Sequence, residues 1–367
     1  MLFYLLLFLV SAFLVNFGNH CKKSQRFLIV AIGIMLPVIV ATLRGENVGK
    51  DTLEYTSMFN SFMSLEGFQG ILTVINTELF FVITCIIAKY TFGIPVVFFC
   101  YSFLTILFAY LAVVKYRREA PVWLGFLLFL FFFYSSSLNI MRQMLAGAYM
   151  LYASTFLLEG KKKKFILMAG LSVLFHLTAL VAAAIIYVIF RLANVERRKR
   201  KVAYMMFYLA LIAGFLMVDV MMRYLGSAGF DKGAAYTSDS TIGGSQISVT
   251  DVLYSICLIA VSYEAMKKMW VRKINPNFFF LASVTCIVLF CTGYYNQWLS
   301  RMAYYMLAFA CLYLPLIAMS PKLKRYRSIS KLAIFCFGFA YWFYLFVIAG
   351  SNLTIPYYTN SGIYFDF

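Results

Sequence analysis

The chain has 367 residues, of which 63% are apolar, 19% aromatic and only 13% charged. That is too little polar surface to cover a soluble domain of this size. The net charge of +18 does not mark a nucleic-acid binder, because the Lys and Arg residues come in short clusters between apolar runs, the pattern of cytoplasmic loops of a membrane protein. Several runs are long enough to cross about 30 Å of hydrocarbon as helices. Only helices or closed barrels satisfy the backbone in lipid, and continuous apolar runs without strict alternation select helices.

Residues 2–18 are apolar and precede Lys22, Lys23 and Arg26. With no basic stretch before them, they predict a first helix that starts outside rather than a cleaved signal peptide. A second span is expected at 27–43. The stretch 44–94 reads as an external loop with interfacial or re-entrant helices, because its apolar run, 79–88, is too short to cross. Spans follow at about 95–114, 121–138 and 140–158. Residues 165–190 lie between two basic clusters and are too short for two full spans. Two short helices, 165–175 and 177–190, folded as a hairpin with His176 near the apex, keep every later basic cluster inside; one long tilted helix would invert everything downstream. The remaining spans are expected at about 202–220, 248–266, 277–294, 302–319 and 332–350, with a flexible external loop rich in Gly, Ser, Thr and Asp at 224–247. The expectation is an all-α polytopic integral membrane protein, one transmembrane domain over residues 1–367 with about 12 transmembrane helices and both termini outside.

All but seven of the 32 Lys and Arg residues fall on the inner side in this threading. The seven are Arg44, Lys50, Lys89, Arg142, Arg223, Lys232 and Arg301. The eight cysteines lie mostly in apolar runs and form no CxxC pair, which fits small packing residues.

The polar residues that need a reason gather at the outer face. Arg142 interrupts an apolar run, with Gln143 beside it; an Arg there either snorkels to the interface or binds an anion in an outward cavity. Arg301 begins the eleventh span, one turn before Tyr304 and Tyr305, where the helix dipole disfavours a cation; the same two readings apply. Arg44 opens the segment RGENVGKDTLEY (44–55), in which Asp51 or Thr52 is either a helix cap or part of a turn presenting charge to a polar ligand. His176 is either a hydrogen-bonded core residue or functional, and Glu78 is either interfacial or a buried carboxylate facing a cavity. No spacing suits a metal, a P-loop or a dinucleotide, so neither metal nor cofactor is expected.

The ordered set Arg44, Gly49-Lys50-Asp51-Thr52, Tyr55, Glu78, Arg142-Gln143 with Ala146, Phe175-His176 with Thr178-Ala179-Leu180, Arg301 with Tyr304 and Tyr305, and Pro356-Tyr357 resembles the EpsG family of O-antigen-polymerase-like (Wzy-like) membrane proteins. The family pattern has a small residue where this chain has Lys50. The resemblance implies a GT-C-like helical fold in the bacterial cytoplasmic membrane. It implies a metal-independent glycosyltransferase that joins polyprenyl-diphosphate-linked oligosaccharide repeat units on the extracytoplasmic face. A diphosphate leaving group calls for preorganised arginines, Arg142 and Arg301 first and Arg44 third. The attacking hydroxyl calls for a base, with Asp51, Glu78 and His176 as candidates. Tyr55, Gln143, Tyr304 and Tyr357 are the candidates for holding sugar. Partners implied are the lipid-linked substrate, membrane lipid and a chain-length regulator. An O-antigen-ligase-like transferase and a lipid-linked oligosaccharide flippase are the competing functions; a transporter would place its ionisable residues near the midplane and often carries inverted repeats.

Overall fold

The computed structural model describes residues 1–64, 77–227, 248–268, 275–294, 297–359 and 364–365. The architecture is helical almost throughout. In chain order the helices are α1 (Leu2–His20), α2 (Lys23–Thr42), α3 (Thr52–Ser64), α4 (Leu79–Lys89), α5 (Ile94–Val114), α6 (Val122–Asn139), α7 (Met141–Leu158), α8 (Lys162–Leu171), α9 (Thr178–Ala193), α10 (Arg200–Ser227), α11 (Val249–Lys268), α12 (Pro276–Cys291), α13 (Ala303–Leu307), α14 (Ala310–Ala318) and α15 (Arg327–Trp342). A two-strand antiparallel pair, β1 (Tyr357–Tyr358) and β2 (Tyr364–Phe365), lies near the C-terminus. Seven helices among the described residues are long and apolar enough to cross a membrane, so the chain is a multi-pass helical membrane protein. Shorter apolar helices cover 79–89, 178–193, 276–291 and 303–318.

The chain divides into two compact units, residues 1–183 with 310–367, and residues 184–309. In the first, α6 is the central helix: its window is 94% buried. Its apolar residues cover the whole circumference, as a helix surrounded by protein requires. Phe131 of α6 meets Phe8 of α1 and Trp342 of α15 at ring separations of 6.0 and 6.1 Å. Pro37 inside α2 has no N–H to give the Gly33 carbonyl one turn back. The buried Ser11 hydroxyl of α1 donates to that carbonyl instead. Such a substitute is obligatory where no water reaches. In the second unit, α11 and α12 pack together and Tyr208 of α10 donates to the Leu281 carbonyl of α12 at 3.1 Å.

The expected break near His176 is present. α8 ends in a 3-10 turn (Ser172–Leu174), Phe175–Leu177 are non-helical, and α9 begins at Thr178. α8 packs along α7, joined to it through Glu159–Lys161, where the Lys161 N–H reaches the Phe156 carbonyl at 2.8 Å. From Arg142 to Leu158, α7 covers roughly 24 Å, and α8 with its 3-10 turn returns about 20 Å. The return brings His176 back to the level of Arg142. In the stretch 44–94, α3 and α4 are helical and residues 65–76 lie outside the described residues. At 11 residues, α4 is about 16 Å long and too short to span. The loop expected at 224–247 begins inside α10, which runs to Ser227; residues 228–247 are outside the described set.

The first unit has two chemically distinct ends. At one, Lys115 pairs with Glu159 at 3.1 Å and sits over the Phe156 ring at 3.4 Å, while Lys161 pairs with the same Glu159 at 2.9 Å. At the other end lie the starts of α1, α5 and α7 and the ends of α2 and α6, with Arg44, Asp51 and Arg142. In the first unit, Arg44 and Arg142 therefore lie at the opposite end from Lys115 and Lys161, as the sequence predicts.

Gly125 of α6 lets three segments approach. A Cβ there would stand 2.6 Å from the Cys311 carbonyl oxygen and 2.8 Å from Val113 Cγ1. The first contact is with backbone, which no rotamer change relieves. Gly125→Ala is expected to lower stability by about 1–3 kcal/mol, read as a fall in Tm of the purified protein in detergent; an unchanged Tm would mean these segments are not packed in this way.

Candidate functional site

Three segments far apart in sequence meet at one carboxylate. Arg142, in the first turn of α7, donates from Nη1 to Glu78 Oε2 at 2.6 Å. His176, at the break between α8 and α9, lies with Nδ1 2.6 Å from Glu78 Oε1. Glu78 itself caps α4, its carbonyl accepting from Phe81 and Val82. Both carboxylate oxygens are thus engaged, one by a cation and one by an imidazole. The side chains are 25% exposed for Arg142, 16% for Glu78 and 23% for His176. The cluster is neither sealed nor open.

The local folding follows from the sequence. α4 is an apolar helix that lies against α5, with Phe80 edge-on to Tyr101 at 5.1 Å. Tyr101 is seven residues into α5, which puts Glu78 about 10 Å along that helix from its start. Phe80 also meets Phe175, and Phe175 meets Tyr149, at 5.1 and 5.2 Å. This aromatic wall fixes the residue before His176 and so aims the imidazole. Arg142 Cζ lies 5.8 Å from the Tyr55 ring centre and 5.6 Å from that of Phe81, close enough for both faces to stabilise the cation.

Burial alone would raise the pKa of Glu78. The His176 hydrogen bond and the Arg142 charge outweigh it, and the carboxyl falls from 4.5 to about 2. Glu78 is therefore ionised at neutral pH and a weak proton acceptor. Arg142 and Glu78 cancel in charge.

Asp51 stands in the loop between α2 and α3. Its N–H donates to Asn139 Oδ1 at 2.8 Å, and its carboxylate makes no hydrogen bond among the described residues. Tyr55, one turn into α3, is buried within electrostatic range of both Asp51 and Arg142 and so joins the loop to the cluster. Gly49, at φ +94°, turns the loop, and a Cβ there would meet the Leu138 carbonyl oxygen at 3.1 Å. Both conditions favour glycine.

Arg44 is placed differently from an open anion ligand: it is 2% exposed. Its Nε donates to Thr52 Oγ1 at 3.3 Å, its Nη1 to the Ala41 carbonyl at 2.8 Å, and its Cζ lies 3.8 Å over the Phe98 ring. Burial pushes its pKa down to about 10, against the opposing pull of Tyr134, Tyr55, Tyr4 and Tyr357. It remains a cation enclosed by aromatic rings.

Gln143 is buried beside Arg142. Tyr357 is buried too, stacked on Phe3 at 5.1 Å, with its hydroxyl on the Val40 carbonyl at 2.8 Å. Arg301 and Tyr304 belong to the second unit, where the Arg301 carbonyl accepts from the Tyr304 N–H at 3.3 Å and the Tyr304 ring meets Phe290 at 5.8 Å. The first unit thus brings together Glu78, Arg142, His176, Tyr55 and the Asp51 loop. Sequence reading missed Asn139 and Asn352, whose amides bond each other at 3.1 Å. Two neutral polar residues in ordinary stretches carry no charge signal. Among the described residues no three His, Cys, Asp or Glu side chains gather, and the cysteines are free.

The depressed pKa makes the cluster pH-sensitive. Its stabilisation is complete above about 4.5 and is lost as pH falls toward about 2. Glu78→Gln removes the pairing charge and leaves Arg142 half-buried without it, at a cost of about 1–3 kcal/mol at neutral pH after allowance for partial exposure. Thermal unfolding across pH 3–7 checks this: the gap between wild type and variant is expected to narrow as pH falls, and a constant gap would contradict the pairing.

The EpsG family model matches residues 26–359. No curated protein and no solved structure matches the chain. The family match covers most of the chain, including the Asp51 loop, Glu78, Arg142, His176, Arg301 and Tyr357, and the chain belongs to the EpsG family.

Proposed function

We propose that this protein is a polysaccharide polymerase: a glycosyltransferase that joins polyprenyl-diphosphate-linked oligosaccharide repeat units on the extracytoplasmic face of the bacterial cytoplasmic membrane. The family match supports a membrane polysaccharide-biosynthesis role. The observation that carries the reading is the Arg142–Glu78–His176 cluster. In this reading the chain crosses the membrane about twelve times in a GT-C-like arrangement, with the cluster at the outer end and the Lys115–Glu159–Lys161 end inside.

In the reaction, a sugar hydroxyl of one repeat unit attacks the anomeric carbon of another. The new C–O bond forms as the bond to diphosphate breaks, and its electron pair leaves on the diphosphate oxygen. Arg142 stabilises that growing charge through the guanidinium edge that Glu78 does not occupy. The hydroxyl proton passes to His176 Nε2 or to the Asp51 carboxylate. Glu78 is a positioning residue here: with a pKa of about 2 and both oxygens engaged, it orients His176 and holds Arg142 rather than accepting the proton. Proton uptake by His176 adds a positive charge to the cluster as the leaving group gains negative charge. Tyr55 and Gln143 are placed to frame the sugar beside Arg142. Arg44 and Tyr357 hold the loop from behind, and Arg301 is a candidate anion ligand of the second unit.

The test is product analysis with the purified protein in lipid, given a lipid-linked repeat unit purified from the producing cells. A ladder of lengthening chains is expected. Arg142→Ala and His176→Ala are each expected to reduce elongation roughly 100–1,000-fold at normal abundance. One transfer per acceptor without a ladder would indicate ligation. Normal elongation by both variants would remove the cluster from the chemistry.

A further inference from the structure

We infer that Asn139 and Asn352 are positioning residues for Asp51, and that residues 350–359 form a strap through which they act; the inference rests on the reading of Asp51 as a base candidate. The loop 45–51 forms no helix or strand, so its N–H groups need outside acceptors. The Gly45 N–H donates to the Tyr358 carbonyl at 2.8 Å, Gly49 to Leu353 at 3.0 Å and Lys50 to Asn352 at 3.1 Å. The next donor, Asp51, goes to Asn139 Oδ1 at 2.8 Å. Three successive N–H groups are thus held by residues about 90 or 300 positions away in sequence.

The two asparagines join these bonds into one chain. Asn139 accepts from Asp51 through Oδ1 and donates through Nδ2 to Asn352 Oδ1 at 3.1 Å. Asn352 donates onward through Nδ2 to Ser136 Oγ at 3.2 Å. Asn352 sits at φ 71°, a left-handed conformation that asparagine tolerates better than most residues. That conformation lets its carbonyl serve Lys50 while its amide serves Asn139 and Ser136. The strap is pinned on its far side by the Tyr4 hydroxyl on the Thr354 carbonyl at 2.9 Å, and by the Tyr357 hydroxyl on Val40 at 2.8 Å.

None of these bonds touches the Asp51 carboxylate. A purely structural aspartate in such a loop would use its own oxygens to cap or brace the turn. Here the backbone is fixed by others and the carboxylate is left for a different partner. Asn139 is buried at the end of α6, the central helix, so the loop takes its position from the most deeply buried spanning helix of the first unit.

The experiment uses the full chain in lipid with Asn139→Ala, Asn352→Ala and Asn352→Asp. Hydrogen–deuterium exchange is followed over residues 45–52, and kcat and KM are measured on the lipid-linked repeat unit. The two alanine variants are expected to exchange roughly tenfold faster in this loop, the factor that one lost hydrogen bond corresponds to. Their kcat is expected to fall roughly 10–100-fold with KM nearly unchanged, as for a displaced reacting group. Asn352→Asp keeps the acceptor for Asn139 and tolerates the left-handed backbone but loses the donor to Ser136, so it is expected to fall between wild type and Asn352→Ala in both exchange and kcat. Unchanged exchange in both alanine variants would overturn the strap. Faster exchange with unchanged kcat would overturn the positioning role. Full activity of Asp51→Asn would overturn the base reading and with it the positioning role; the exchange data, which need no turnover, tell that failure apart from failure of the strap.

Discussion

One carboxylate organises the candidate site. Glu78 is shared between Arg142 and His176, which come from α7 and from the α8–α9 break. Any carboxylate with so little contact with water must find donors, and the same holds for a half-buried guanidinium. The need to pair fixes the rest of the geometry. α4 must begin at the depth where Arg142 enters, α8 must be as long as the return along α7, and the helix must break at His176 so that the imidazole is free to turn. The aromatic wall of Phe80, Tyr101, Phe175 and Tyr149 packs α4, α5, α7 and the break before His176 against one another. Low water content strengthens each polar contact and makes each one harder to lose.

The parts of this arrangement legible in the sequence are those with a large transfer cost. An Arg in an apolar run, a His between basic clusters and a Glu at the start of a short apolar segment each stand out because leaving them in hydrocarbon is expensive. The basic clusters likewise predicted which helix ends lie together in the first unit, since α5, α7 and α8 place Lys115, Glu159 and Lys161 at one end. What the sequence did not disclose is pairing. The sequence offers Arg142 either the interface or an external anion; the structure adds a partner that neither reading names, Glu78, 64 residues earlier. Arg44 was grouped with the diphosphate ligands because it is a cation. Its enclosure by Phe98 and four tyrosines depends on helices whose contacts no local pattern records. The amide chain through Asn139 and Asn352 spans 213 residues and involves no charge, so it leaves no trace in hydropathy or charge patterning.

Arg44 and Arg142 show how the same side chain serves different ends. Arg142 is paired with Glu78, hydrogen-bonded to Tyr55 and partly exposed. Arg44 is fully enclosed, and its cation is offset by ring faces and two hydrogen bonds rather than a carboxylate. Tightening α2 against α3 through Thr52, it acts on the loop that carries Asp51. The loop is therefore held from three directions: by Arg44 at its start, by the strap along its length and by Asn139 at its end.

In the proposed reaction the two candidate proton acceptors, His176 and Asp51, differ in electrostatic consequence. When His176 takes a proton, the cluster with Glu78 and Arg142 gains one positive charge beside the departing diphosphate. When Asp51 takes one, a negative charge disappears from the loop. Both changes favour a leaving group that accumulates negative charge, but only the first leaves the new charge in contact with an ionised carboxylate. Glu78 is bonded to His176 already in the resting state, so little rearrangement is needed at the moment of transfer. Asp51 has no such partner, and its advantage is an unbonded carboxylate on a braced backbone. Under that proposal the environments divide the labour: the cluster suits the leaving-group side of the reaction, where positive charge is required, and the Asp51 loop suits the attacking hydroxyl, where an uncommitted acceptor is required.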